Sequence, residues 1–153
     1  MAPEGERGSV LLLMPAAMLV MVVLAAIAVD ASVAFLGQRE LANASAAAAN
    51  DAATAALSER AFYVENRLEI DPAAADSIAR QRLAVALDPA RFHDVAVVVT
   101  VTPQAGPCPP TVTVTTSARV PYVFAKALPG RSHDADVHAS SLARPQQAAD
   151  VGC

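Results

Sequence analysis

The densest run of groups able to hold a cation is His133-Asp134-Ala135-Asp136-Val137-His138. In an extended chain successive side chains alternate, so Asp134, Asp136 and His138 fall on one side and His133 on the other. Two carboxylates and an imidazole on one side form a candidate metal set, and a metal-dependent enzyme would be built around His133 and His138. The competing reading is a solvated loop leading into an edge strand. Nucleophilic chemistry finds less support. Ser140 and Ser141 follow His138, but hydrolysis needs a nucleophile, a base and an orienting group within hydrogen-bond reach, and no G-x-S-x-G elbow occurs. His93-Asp94 reads as the ordinary start of a strand. Cys108 stands among prolines without a cationic neighbour in sequence that would make its thiol reactive. The six glycines do not cluster, so no phosphate-cradling loop is present. The sequence is read as having no catalytic residues and no cofactor.

Composition narrows the class further. The chain has 153 residues, room for one ordinary domain. Its hydrophobic content of 54% is inflated by alanine, and only four Phe and two Tyr supply aromatic bulk. A net charge of −4 argues against a nucleic-acid partner, which calls for a basic stripe. Two cysteines cannot build a disulfide-rich scaffold or a structural zinc site. They can form one bridge, Cys108 to Cys153. Closing a loop of about 46 residues contributes roughly 4 kcal/mol in the chain-entropy model. The alternative is that Cys153 stays free on a tail or pairs between chains.

The elements that would position these groups begin with a stem. Residues 10–29 form about twenty positions without a charge, enough to span a hydrocarbon core of roughly 30 Å. Five Leu, five Val and one Ile in that run favour insertion by about 5 kcal/mol in total. Pro15 should kink the helix near its start, which spanning helices tolerate. Asp30 closes the run, at the membrane boundary where its charge can stay hydrated. A cleaved secretory signal is the other reading, with Ala26-Ile27-Ala28 as the A-x-A site and a mature chain starting at Val29. Arg7 and the terminal amine face Arg39 across the stem, a weak charge bias. That bias barely decides orientation; the short tail is expected to stay in the cytoplasm while the bulk of the chain is exported.

Helical character continues over residues 31–60, which contain no proline and a single glycine, Gly37. Val33, Leu36, Leu41, Ala44, Ala48, Ala52 and Ala55 recur at spacings near three and four. Such an alanine face lets a second backbone approach closely. It can serve a partner helix, or it can pack on the chain's own domain. Together with the stem it would form a nearly continuous helix of about fifty residues, roughly 75 Å long.

A family resemblance attaches to these residues. Glu6-Arg7-Gly8-Ser9, the apolar run with Pro15 inside it, Ala28-Val29-Asp30, and Gln38-Arg39-Glu40-Leu41-Ala42-Asn43-Ala44 resemble the amino-terminal segment of TadE/TadG-like proteins. These are pilin-like accessory proteins of Tad (Flp) pilus assembly, and the resemblance covers about the first fifty-five residues. It implies a membrane anchor, other pilin-like or Tad assembly proteins as partners, and no small-molecule substrate. Leader cleavage between Gly8 and Ser9 would place Leu13 at the fifth mature position, where cleaved pilins carry Glu. The resemblance therefore points to an uncleaved accessory member. Val120-Pro121-Tyr122 and Leu128-Pro129-Gly130 are similar to the carboxy-terminal part of the same family.

The remainder predicts a small α+β domain. Asp71-Pro72 starts a second helix and Asp88-Pro89 ends it. Period two then takes over. Val95, Val97, Val99 and Val101 share one face of a strand. In a second strand Val112, Val114, Ala118 and Val120 face inward while Thr111, Thr113, Thr115 and Arg119 face outward. A third strand covers about residues 136–142. The expected organisation is a tail at 1–8, a membrane helix at 9–29, a helical extension at 30–63 and a pilin-like α+β domain at 64–153. The residues expected to carry assembly are Pro15, Asp30 and the Ala44, Ala48, Ala52 stripe, with the threonine face of the strands.

Overall fold

The computed structural model describes residues 7–65, 67–106, 108–127, 130 and 132–145. The chain is α+β: a long amino-terminal helix, further helices and a three-stranded antiparallel sheet. Helix α1, Arg7–Ala55, has 49 residues and runs through Pro15 unbroken. At 1.5 Å per residue it is about 73 Å long. It begins two residues ahead of the expected boundary, so Gly8 and Ser9 already lie within it.

α1 stops at Ala55, short of the expected end near residue 60. Leu57 turns out to form an antiparallel bridge with Ile70, and the Ser58 amide donates to the Glu69 carbonyl at 2.8 Å. That bridge buries Ile70, an apolar gain that one more helical turn would forfeit. A short α2, Glu59–Glu65, follows. Then α3, Pro72–Ala86, starts as the sequence indicates: the Asp71 carboxylate accepts from the Ala73 and Ala74 amides, with Pro72 at the first helical position.

Strands β1 (His93–Thr102), β2 (Thr111–Pro121) and β3 (Asp134–Ala143) form a meander with β2 in the centre. Helices α1 and α3 cover one face, α1 over β2 and β3, α3 over β1. Val112, Val114, Ala118 and Val120 are buried under the helices as alternation predicts. Val97, Val99 and Val101 are partly buried against the same core. Val95 is not, remaining 41% exposed. A β-bulge lies between His93 and Ala96, with Asp94 at φ 51°, and it breaks the alternation there.

The core is built from small residues. Leu41, Ala44, Ala48, Ala49, Ala52 and Ala53 of α1 are all buried in it. Of the two readings of the Ala44, Ala48 and Ala52 stripe, a partner helix or the chain's own domain, the structure shows the second. The chain's own α3 and sheet occupy that face, because alanines let both approach the helix backbone closely. Leu36 and Ala55, placed on the same stripe by spacing, are exposed. Gly37 marks the closest approach: a Cβ there would lie 2.8 Å from Val120 Cγ2.

Candidate functional site

The charge that ends the stem is held by the connection between β2 and β3. Asp30 is 8% exposed. Its Oδ1 accepts from the Val123 and Phe124 amides at 2.8 and 3.0 Å, and its Oδ2 from the Ala125 amide at 2.7 Å. These three N–H groups open the 3-10 turn Ala125–Ala127 in the β2–β3 connection and would otherwise lack acceptors. Burial pushes the Asp30 carboxyl up, but the three backbone donors and the nearby Lys126 outweigh it and hold it below its ordinary value. This corrects the expectation of a hydrated Asp30. Backbone dipoles supply the positive potential around the buried charge.

Two further side chains of α1 fasten the sheet at successive heights. The Gln38 side-chain amide donates to the His138 carbonyl, while Gln38 Oε1 accepts the His138 amide at 3.1 Å. β3 is an edge strand, and this clip satisfies main-chain groups that would otherwise invite another strand. Higher up, buried Ser45 meets buried Thr116 of the central strand. The Ser45 hydroxyl donates to the Leu41 carbonyl at 2.8 Å, so its one proton is used and it accepts from Thr116. Two ion pairs tie α1 to its other neighbours, Asp51–Arg82 to α3 at 2.6 Å and Glu40–Arg91 to the α3–β1 loop at 2.7 Å. All these pairs are distant in sequence, so no local pattern announces them.

The other face of the sheet is open. Thr100, Thr115 and Ser140 are exposed there beside Val98 and Leu142, each 60% exposed. Asp136 and His138 are exposed on that face and Asp134 is half-buried, so the alternation is as expected. Of this set Asp136 faces the Arg119 guanidinium at 3.5 Å, which also pairs with Asp94 at 3.0 Å. Among the described residues no three His, Cys, Asp or Glu side chains converge for a metal. His133 sits before β3, where its carbonyl accepts from the Tyr122 amide at 2.9 Å. Comparison with protein-family models, with curated proteins and with solved structures finds no match.

Along the stem the picture reverses. From Leu13 to Val29 every residue is exposed except half-buried Ala26. Leu19 is 68% and Met21 72% exposed, all round the helix. One long apolar helix near the amino terminus is compatible with a single membrane span. A groove between α3 and β1 is lined by Arg80, Leu83, Leu87, Phe92 and Val97. Its polar group, Arg80, is already engaged by Asp76 at 2.8 Å and the Val97 carbonyl at 3.1 Å. Cys108 bridges back to Ala105 through its backbone, and Cys153 lies outside the described residues, as do Leu128 and Pro129.

Proposed function

We propose that this chain is a single-pass, membrane-anchored, pilin-like accessory protein of a Tad-type pilus or related secretion apparatus, acting by assembly rather than catalysis. One observation carries the reading. A single unbroken helix is exposed and apolar on every side from Leu13 to Val29, and one-sidedly buried from Asp30 onward. Water does not tolerate the first half of that rod, while the second half is the spine of a folded body. The body lies outside the cytoplasm, the orientation expected for the bulk of the chain. Lateral packing falls to the stem, since the alanine stripe is used internally, and the open threonine face presents a surface to partners. A Cys108–Cys153 bridge suits an exported body. Peptide mapping of exported protein without reductant should recover the linked pair; two free thiols would exclude it.

A secreted protein cut after Ala28 is the competing reading. It fits the structure less well, because the helix passes through Ala26–Ala28 without interruption and Asp30 would become the second residue of the product. Cell fractionation with amino-terminal sequencing separates the two. A membrane-bound chain that is intact or begins at Ser9 supports the anchor, and a soluble chain beginning at Val29 refutes it. Leu19→Lys combined with Val23→Lys should move the protein out of the membrane fraction. Two lysines at the helix centre cost about 6 kcal/mol, more than the roughly 5 kcal/mol that the aliphatic residues contribute. Retention of the double variant in membranes would count against a spanning stem.

A further inference from the structure

The three carboxylate contacts of Asp30 fix the height of the β2–β3 connection. Side chains of an α-helix lean toward its amino terminus, so the Asp30 carboxylate draws the connection toward the stem. Phe124 and Val123 then lie level with the end of the apolar run, and both stay 48% and 45% exposed although they are large and apolar. Phe35, 67% exposed, stands five residues above Asp30 and lines the same groove as Tyr122. At 1.5 Å per residue it is about 7.5 Å higher. The headgroup layer beyond the hydrocarbon core is roughly 5–7 Å deep on each side. Exposed Lys126 completes the group.

We infer that the β2–β3 connection is a second membrane contact: Phe124 and Val123, with Phe35 of α1, enter the lipid headgroup layer beside the stem. The partner is the bilayer interface itself. This rests on the anchored reading and adds to it that the body is seated on the membrane rather than carried clear of it. Continuity decides for lipid. The patch adjoins the stem without an intervening polar belt, since the one charge between them, Asp30, is buried by its bonds to the patch. Exposed Phe side chains with a lysine suit the boundary between headgroups and acyl chains.

The chain contains no tryptophan, so single substitutions report cleanly. The full-length protein is reconstituted in phosphatidylcholine–phosphatidylglycerol vesicles as Leu19→Trp, Phe124→Trp and Val98→Trp. Lipids brominated either high or deep in the acyl chain serve as quenchers. Val98 pairs with Thr115 beside the Ser45–Thr116 contact, and Ser45 lies about 22 Å along α1 from Asp30. Its tryptophan should emit as in water and resist quenching. Phe124→Trp should emit blue-shifted and lose most of its emission to the high bromines, and Leu19→Trp to the deep ones. Adding Asp30→Ala should return Phe124→Trp towards the Val98 level; unchanged quenching would refute the clamp's part. If Leu19→Trp is quenched while Phe124→Trp behaves like Val98→Trp, the seat is wrong and the anchor stands. That patch would then be open to a protein partner. If Leu19→Trp is not quenched, the anchored reading itself fails.

Discussion

Ala48→Leu is expected to unfold the α+β body near ordinary growth temperature while leaving the protein in the membrane. Ala48 is fully buried in a row with Ser45, Ala49 and Ala52, beneath both α3 and the sheet. Three added carbons would gain about 2.4 kcal/mol if they could be buried without displacement. No room exists for them, and pushing a helix off its neighbours costs typically 1–3 kcal/mol and occasionally more, before the transfer gain can be realised. We expect a net loss of about 3 kcal/mol, a large part of the 5–15 kcal/mol that holds an ordinary domain together. Few aromatic or long aliphatic side chains are present to absorb it. Thermal unfolding of the detergent-solubilised chain, followed by circular dichroism, measures the loss. An unchanged melting temperature with loss of bound partners would mean that this face serves another chain instead.

Asp30→Asn should release the β2–β3 connection. The carboxylate offers acceptors to three N–H groups, whereas an amide offers one oxygen and turns an NH2 toward a donor. Amide exchange at Val123, Phe124 and Ala125 should accelerate roughly tenfold or more, because buried donors left without acceptors favour the open state. The pH dependence has a defined sign. A carboxyl held below its ordinary value binds fewer protons in the folded chain than in the unfolded one. Its contribution is therefore complete above the ordinary carboxylate range, and it disappears as pH falls through the lowered folded value. Native protein should lose protection at these amides, measured against the intrinsic exchange rate at each pH, as acid titrates the carboxylate, and Asp30→Asn should lack that loss. Equal protection in the two proteins across that range would exclude the clamp.

How far the chain could be read without coordinates differs from residue to residue. Asp71-Pro72 and Asp88-Pro89 announce α3 because caps and proline restrictions act within a few residues. Val112, Val114, Ala118 and Val120 announce their burial because a strand alternates with period two. The alanine spacing of α1 showed that one face must be covered, but left open by what. Spacing is a property of one helix, and the covering elements come from residues 72–86 and 111–143. Val95 escaped for a related reason, since a bulge is a property of a strand pair.

Local matters could be read from residue order alone: an apolar rod long enough for a bilayer, its continuation as a helix, the helix cap, the strand faces and the absence of a basic stripe. Each depends on intrinsic propensity, hydrophobic period or net composition, quantities that are sums over neighbouring residues. It took the folded chain to reveal that Asp30 binds backbone ninety-odd positions away, that Gln38 closes the β3 edge, that Ser45 meets Thr116 and that the alanines face inward. Those contacts pair groups whose chemistry is ordinary when taken alone. Their partners are selected by where the chain folds back, and that depends on the whole molecule at once.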